Sequence, residues 1–367
     1  MSNAHKRWQP FQALPSYAGG KRKLIPWIFH HIQGHVPKQY WRKLTFADAF
    51  VGGGSVSLWA KAQGFGRLAC NDWSERSGIL MQALISNSDQ RFSDELLDWL
   101  LKPTSEPGHI ITSLSGEIFA HRHSLVLDRI AQNVQQLSDP TDRVLGQLLL
   151  WKLSERFVGF GSTLGTSNRP LAKVVDGGAP WWELSPKRLQ DQSLRKLLRP
   201  IGPLLEKEKH VINGGIFAAN GSVALSQQDA MVFVEQVEAD ILYADPPYPG
   251  TLAYEKHYAP LDSILFGLKE DTPHSVSPFT ESVEALSNFL RRAQHIPMWV
   301  VSYGNKQVDA DAFKALVQSA DPSRHTEVYT QAYTHMPHVA KPSNNQELLA
   351  ISVDSVFTQA IQKGEKS

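Results

Sequence analysis

The tetrapeptide Asp245-Pro246-Pro247-Tyr248 follows an apolar run and restricts the fold of this chain more than any other feature. The run Ile241-Leu242-Tyr243-Ala244 is typical of a buried strand. Each proline fixes its own φ angle and restricts the residue before it, so the strand ends there in a stiff turn. The turn presents one carboxylate, one carbonyl next to a residue without an N–H group, and one flat ring. These groups fit an exocyclic amine on a planar base, because the oxygens can accept its N–H bonds while the ring covers its face.

A glycine-rich turn lies in the N-terminal third of the chain. Residues 44–57 read as a short apolar strand, then Gly52-Gly53-Gly54-Ser55, then a helical pattern. Glycines at a strand-to-helix turn let backbone N–H groups approach a ligand closely. A second strand ends at Asp72, where an acid can bind ribose hydroxyls. Ser57 replaces the third glycine of a dinucleotide fingerprint, so a ligand without phosphates, such as S-adenosylmethionine, fits better.

Composition excludes several classes of protein. The 367 residues predict one large domain or two smaller ones. The single cysteine, Cys70, excludes an intramolecular disulfide and indicates a reducing compartment. The 14 histidines are scattered and show no zinc-ligand spacing, and no apolar run is long enough to cross a membrane. We therefore expect neither a bound metal nor a membrane partner.

Positive charge is concentrated in two stretches. Residues 1–47 contain eight Lys or Arg and no Asp or Glu, and residues 141–200 contain ten Lys or Arg against five Asp or Glu. Localised positive charge suits a polyanion, because phosphate contacts dominate affinity for nucleic acids. The alternative is a basic surface that faces only solvent.

Four motifs, taken in order, resemble those of Dam-type adenine-N6 DNA methyltransferases. They are Y-A-G-G-K at 17–21, A-F-V-G-G-G-S-V at 49–56, N-D at 71–72 and D-P-P-Y at 245–248. Two positions depart from the family pattern. Asp48-Ala49 stands where the family has Glu-Pro, and the aromatic residue before A-G-G-K is Tyr17 rather than the commoner Trp.

The resemblance implies an α/β fold, with a Rossmann-like S-adenosylmethionine-dependent methyltransferase domain formed by residues 1–77 and 201–367. Residues 78–200 would form a mainly helical DNA-recognition insertion, with a loop or hairpin at 159–180. Helical periodicity supports the insertion. It is found at Gly78–Ile85, Asp94–Leu101, Ile118–Leu137 and Arg143–Phe157.

The resemblance also implies a reaction, namely methyl transfer from S-adenosylmethionine to the N6 amine of adenine in double-stranded DNA after base flipping. Its catalytic residues would be Asp245, Pro246, Pro247 and Tyr248. Its cofactor-binding residues would be Tyr17, Lys21, Phe50, Gly52, Gly54, Ser55, Asp72, Asp229 and Asp245. Its DNA-binding candidates would be Phe160, Ser162, Thr163, Asn168, Arg169, Lys187, Arg188, Arg195 and Lys196. Asp229 is also a natural N-cap for a helix over residues 230–237.

Three alternatives stay open at this point. The chain could methylate cytosine N4 or RNA, since those enzymes share the motif architecture, or it could be a catalytically silent DNA-binding subunit of the same fold. A nicotinamide oxidoreductase is disfavoured, because it leaves D-P-P-Y unexplained. The expected location is cytoplasmic and nucleoid-associated, and a restriction or defence-system component is a candidate partner besides DNA.

Overall fold

A seven-stranded sheet forms the centre of the molecule. The computed structural model describes residues 8–157, 169–177, 197–248, 254–267, 278–306, 308–332 and 345–363. The strands are β1 Thr45–Asp48, β2 Arg67–Asn71, β3 Ser222–Ser226, β4 Ile241–Ala244, β5 Met298–Gly304, β6 His325–Ala332 and β7 Gln346–Val353. Their order is β3-β2-β1-β4-β5-β7-β6. The first five are parallel neighbours, and β7 runs antiparallel to both β5 and β6.

Helices occupy both faces of the sheet and the long connection between β2 and β3. Those before the connection are α1 Gln9–Ala13, α2 Ile25–His35 and α3 Ser55–Gln63. The connection contains α4 Glu75–Leu80, α5 Asp94–Leu100, α6 His121–Val134, α7 Pro140–Phe157, α8 Arg169–Val175 and α9 Ile201–Asn213. Those that follow β3 are α10 Ala230–Gln236, α11 Tyr254–Phe266, α12 Pro278–Glu281, α13 Glu284–Arg292, α14 Ala310–Ala320 and α15 Ser355–Lys363. Short π-helical segments at Met81–Ser86 and Ile110–Leu114 and a 3₁₀ turn at Lys38–Lys43 complete the described elements.

Alternation along the strands divides the core into two layers. Ile241 and Tyr243 pack on one face of the sheet, while Leu242 and Ala244 pack on the other. This follows from the two-residue period of side chains along a strand. The first layer also contains buried residues of α2 and of the helical connection. The connection therefore shares a continuous hydrophobic core with the sheet, and its division into a separate domain at residues 78–200 stays a prediction.

The predicted elements mostly form where the sequence placed them. The strand at 241–244 is confirmed, and each predicted helix of the connection overlaps an observed one. One expectation was wrong, because Arg169–Val175 is an α-helix within the segment 159–180 that we expected to be loop or hairpin. The run Leu171-Ala172-Lys173-Val174-Val175 lacks glycine, and the buried Ala172, Val174 and Val175 join the hydrophobic core, which stabilises a short helix there.

The strand order places a crevice at one edge of the sheet. The chain leaves β1 toward β2 on one side, whereas β4 lies on the other side of β1, so the connections diverge at this point. In open α/β sheets, ligands bind outside the carboxyl ends of the strands where such a divergence occurs. The glycine turn follows β1, Asp72 follows β2 and Asp245 follows β4, so the topology brings all three predicted motifs to this edge.

A buried arginine anchors the entry to β5 at the opposite edge. The Arg324 guanidinium donates to the carbonyls of Gln294, Ile296 and Pro297 at 2.7–2.9 Å. The central carbon of the guanidinium lies 3.7 Å from the centre of the Trp299 ring.

Among the described helices, none is long and apolar enough to cross a membrane.

We predict that Arg324→Met lowers the free energy of unfolding by about 3–5 kcal/mol, because three buried carbonyls lose their donor. Urea denaturation followed by circular dichroism measures this. The matched control is Arg292→Met, which breaks a half-exposed ion pair with Glu235 and should cost less than about 1 kcal/mol. Equal losses for the two variants would contradict an anchoring role for Arg324.

Candidate active site

The glycine turn after β1 is tied to the end of β2 by one carboxylate. Asp72 Oδ2 accepts from the Gly52 backbone N–H at 2.7 Å, and Asp72 Oδ1 accepts from Ser74 N–H at 2.9 Å. Gly52 and Gly54 have φ angles of 50° and 73°, which side chains with a Cβ rarely adopt. Burial raises the pKa of Asp72, while the two backbone N–H groups oppose that shift. Asp72 therefore holds the glycine turn in its conformation. It also lies at the position where we expect ribose hydroxyls to bind.

Tyr17 lies directly on the glycine turn. A Cβ added to Gly53 would sit 2.5 Å from the Tyr17 Cβ, and one added to Gly52 would sit 3.1 Å from the Tyr17 ring. The Tyr17 ring also stacks on Tyr258 at 5.2 Å, and the Tyr258 hydroxyl accepts from Ala18 N–H at 2.7 Å. The Arg76 guanidinium lies over the Tyr258 ring at 4.3 Å. Small residues are thus required at 52 and 53 because an aromatic ring occupies the space above them.

Four polar side chains meet where β4 ends. Lys21 Nζ lies 2.8 Å from Asp245 Oδ1 and 3.2 Å from Glu347 Oε1. The Tyr248 hydroxyl lies 2.8 Å from Asp245 Oδ1, 3.0 Å from Glu347 Oε1 and 3.1 Å from Lys21 Nζ. Lys21 is 3 % exposed and Glu347 is 0 % exposed, whereas Asp245 is 18 % exposed. Of the three charged side chains, Asp245 is therefore the one that can meet a molecule entering from outside, and the half-buried Tyr248 lies beside it.

Burial and charge act on Asp245 in opposite directions. Burial raises the pKa of the Asp245 carboxyl, the ammonium of Lys21 lowers it, and the carboxylate of Glu347 raises it. Burial and the two neighbouring carboxylates also raise the pKa of Tyr248 well above its ordinary value. The tyrosine hydroxyl consequently stays protonated and donates a hydrogen bond in this cluster.

A further acid lies under the glycine turn. Asp48 accepts from the Ser57 hydroxyl at 2.5 Å and from Phe50 N–H at 3.2 Å, and it is 1 % exposed. Burial raises the pKa of Asp48 to about 7, against the effect of its two hydrogen bonds. This carboxyl is the residue that replaces the family's Glu, and it supports the turn from below.

Comparison with known proteins agrees with this arrangement. Residues 17–113 match the family described as D12 class N6 adenine-specific DNA methyltransferase. The matched range contains Tyr17, the glycine turn and Asp72, and the tetrapeptide at 245–248 lies outside it. The chain is therefore similar to the D12 class of adenine-N6 DNA methyltransferases.

A characterised relative extends the similarity through most of the chain. The chain is 24% identical over 294 residues to the Type II methyltransferase M2.HphI of Haemophilus parahaemolyticus. The aligned region covers 79% of this chain and 82% of the relative. As in other methyltransferases, the reaction of a D12 enzyme needs a methyl donor, and DNA is its substrate. Within the described residues, no group of three or more His, Cys, Asp or Glu side chains could hold a metal ion.

The structure brings the predicted catalytic residues and most of the predicted cofactor-binding residues to one edge of the sheet. Asp245, Tyr248 and Lys21 form one cluster, in which Lys21 contacts the Asp245 carboxylate. A role for Lys21 in cofactor binding stays a prediction. Phe50 packs against Phe279 and Phe289, and the buried Ser55 begins α3. Pro246 and Pro247 continue the chain from β4 to Tyr248.

Asp229 shows the alternative role that its sequence allowed. Its Oδ1 accepts from Met231 N–H at 2.7 Å and caps α10. The adjacent Gln228 exchanges two hydrogen bonds with Asn71, so Asp229 still lies beside the end of β2. A role for this exposed carboxylate in cofactor binding stays a prediction.

The DNA-binding candidates are not tested by the structure. Arg169 begins α8, but its side chain is outside the described residues. The other candidates lie outside the described residues altogether, namely Phe160, Ser162, Thr163, Asn168, Lys187, Arg188, Arg195 and Lys196. Part of the N-terminal positive charge is internal, because Lys21 is buried and Arg22 donates to the Pro15 carbonyl.

Sequence reasoning missed several residues of the site. Glu347 carried a signal, since Asn345-Gln346-Glu347 opens the last strand like a family N-x-E pattern, but it was not chosen as a site residue. Tyr258 and Arg76 carried no recognisable signal. Neither did Glu155 of α7, which accepts from Ser16 N–H at 3.0 Å and holds the segment that leads to Tyr17.

We predict that Asp48→Asn flattens the dependence of stability on pH. The pKa of Asp48 is raised from 3.8 to about 7, so the folded state binds the proton more tightly and wild-type stability falls as pH rises through this window. One pKa unit corresponds to about 1.36 kcal/mol, so the variant should gain on the order of 4 kcal/mol relative to wild type between pH 4 and pH 8.

Denaturation at both pH values measures the difference, and Asp311→Asn, which changes an exposed acid on α14, is the control. If the Asp48→Asn protein shows the same pH dependence as wild type, the buried carboxyl is ionised at no cost and our account of its environment is wrong.

Proposed function

We propose that this protein transfers a methyl group from S-adenosylmethionine to the N6 amine of an adenine that is flipped out of duplex DNA beside Asp245. One observation carries the proposal. The segment 17–21 touches the glycine turn through Tyr17 and the catalytic carboxylate through Lys21. Five consecutive residues therefore join the expected donor site to the expected acceptor site.

The residues around the glycine turn fit S-adenosylmethionine. The Tyr17 side chain occupies the space next to Gly53, where a dinucleotide enzyme needs room for pyrophosphate, so a ligand without phosphates is favoured. Asp72 supplies a carboxylate for hydroxyl groups. The sulfonium of this cofactor is cationic, and the carboxylate of Asp72 makes the crevice suitable for a cation. When bound, the cofactor supplies a methyl group activated for transfer.

Asp245 and the Pro246 carbonyl would act on the adenine amine. The nitrogen of an aromatic amine is a weak nucleophile, because its lone pair is delocalised into the ring. Two acceptors for its N–H bonds would draw the nitrogen toward a tetrahedral geometry and make the lone pair available. Positioning contributes much of the acceleration in such a transfer. Acceptors directed at the developing positive charge contribute the electrostatic part.

The amine must leave the base stack to reach Asp245. Tyr248 is the proposed stacking partner, and a stack between a base and an aromatic side chain contributes roughly 1–3 kcal/mol. Its ring is half-buried and lies 4.8 Å from the Tyr303 ring, with the Lys21 ammonium 5.3 Å from its centre.

The alternatives are distinguishable by chemistry. The D12 description names the N6 position of adenine, which disfavours cytosine N4 and RNA as substrates. The name of the relative places that protein among Type II methyltransferases, which supports a restriction-modification context and a cytoplasmic, nucleoid-associated location for this chain.

Transfer of a labelled methyl group to duplex DNA, followed by mass spectrometry of the nucleosides, tests the methylated base and the activity together. A product other than N6-methyladenine would sink the proposal.

We predict that Gly53→Ala weakens binding of S-adenosylmethionine about tenfold or more. The added Cβ would sit 2.5 Å from the Tyr17 Cβ, and overpacking of this kind costs about 1–3 kcal/mol. Calorimetric titration measures the dissociation constant. The control is Gly34→Ala, where the added Cβ meets nothing within 4 Å. Unchanged affinity in the Gly53→Ala protein would remove the glycine turn from the cofactor site.

We predict that Asp245→Ala lowers the methyl-transfer rate by about 10²–10³ and leaves cofactor affinity within about threefold, because loss of one preorganised polar group has this effect on the chemical step. Single-turnover methylation and calorimetry on the same preparation measure the two quantities. Asp311→Ala, which changes an exposed acid on α14, should retain full activity. Retention of more than about a tenth of the wild-type rate would exclude Asp245 as the main acceptor.

A further inference from the structure

Glu347 is a buried acid in direct contact with the catalytic cluster, and the reaction described above gives it no role. It is the second residue of β7 and pairs in register with Gly304 at the end of β5. Because β7 is antiparallel to β5, the start of β7 lies at the same edge as the carboxyl ends of the parallel strands. The topology thus delivers a carboxylate from near the end of the chain to Asp245.

Glu347 and Asp245 share the same two partners. Lys21 Nζ lies 2.8 Å from Asp245 Oδ1 and 3.2 Å from Glu347 Oε1. The Tyr248 hydroxyl lies 2.8 Å and 3.0 Å from the same two oxygens. One ammonium between two carboxylates leaves the cluster with a net charge of −1 when all three groups are ionised.

This charge matters for the chemistry at Asp245. If Lys21 faced Asp245 alone, the pair would be neutral, and the carboxylate would be a weaker acceptor for an amine that becomes positive. Glu347 also pairs with Lys21 and accepts a hydrogen bond from Tyr248, so these two groups neutralise Asp245 only in part. Excess negative charge then faces the position where positive charge develops, in a site shielded from water.

We propose that Glu347 is a positioning residue of methyl transfer, which holds Lys21 and Tyr248 and gives the cluster the negative charge that makes Asp245 an effective acceptor. The inference rests on the proposed function, since it assigns Glu347 to the same reaction. Glu347 is fully buried and acts through its neighbours, so it contacts neither DNA nor cofactor.

The groups that face Asp245 come from several elements. Lys21 reaches it from the segment before α2, Tyr248 from the turn after β4 and Glu347 from β7. Asp48 at the end of β1 and Tyr243 of β4 also interact with it electrostatically. Of these, Lys21 lowers the pKa of Asp245 and Glu347 raises it, with burial as the largest cause of the rise.

The direction of the Glu347 effect supplies a diagnostic readout. In Glu347→Gln the side-chain oxygen can still accept from Lys21 or Tyr248, but the charge is gone. We expect kcat to fall by about tenfold or more. This fall is smaller than the 10²–10³ expected from loss of a group that touches the reacting atoms. The acid limb of the pH profile of kcat should move to lower pH, because a neighbouring anion no longer raises the pKa of Asp245. The KM values for DNA and cofactor should stay within about threefold.

Two further variants separate charge from structure. Glu347→Asp keeps the charge and shortens the side chain, so its acid limb should stay at the wild-type position. Glu208→Gln is the matched control. Glu208 is equally buried and pairs with Lys152 at 3.3 Å, and neither residue belongs to the cluster around Asp245. Its acid limb should not move, whatever it does to stability.

The experiment measures methyl transfer from labelled S-adenosylmethionine to duplex DNA, across pH 5 to 9, with thermal unfolding of each full-length variant. A Glu347→Gln protein with wild-type kcat, an unmoved acid limb, or an equal shift in Glu208→Gln would overturn the inference. Failure of Glu347→Gln to fold would also overturn it, since Glu347 would then be a structural residue. If wild type transfers no methyl group to DNA, the proposed function itself fails, and that outcome is distinct from every variant result.

Discussion

The Lys21 ammonium lies between two carboxylates that come from residues 245 and 347, so three distant parts of the chain meet at one buried cation. A buried charge is costly unless it is paired and hydrogen-bonded. The cation is satisfied only when the segment before α2, the turn after β4 and the start of β7 are all in place. The same contacts that complete the fold at this edge therefore also assemble the polar cluster around Asp245.

The sheet topology explains why these parts can meet. Parallel strands direct their carboxyl ends, and hence the glycine turn, Asp72 and Asp245, to one edge. The antiparallel β7 directs its beginning to that edge. Insertion of β7 between β5 and β6 thus adds an acid to a site that parallel strands alone would build from strand ends.

The helical connection contributes to the site through the N-terminal segment. Glu155 accepts from Ser16 N–H, and Lys152 donates to the Gln12 carbonyl at 2.8 Å. Both residues belong to α7, which ends at Phe157 just before the predicted DNA-contacting segment. Tyr258 of α11 adds a third contact at Ala18. The path that leads to Tyr17 and Lys21 is therefore fixed by helices that lie far away in sequence.

The sequence by itself determined the local elements, because their signals are local. The strand at 241–244, the proline turn, the glycine turn and the acid after β2 follow from apolar runs, fixed φ angles and missing Cβ atoms, and the order of the motifs indicated the family. The helix at Arg169–Val175 shows the limit of this reasoning, since burial of Ala172, Val174 and Val175 in the shared core overrode a composition typical of loops. Only the tertiary structure decided the partners of Lys21, the place of Glu347 and the support given by Tyr258 and Glu155. These partners lie far apart in the chain, and even Tyr248 and Glu347 are 99 positions apart. Pairing over such a separation depends on strand order and register, which no local pattern encodes.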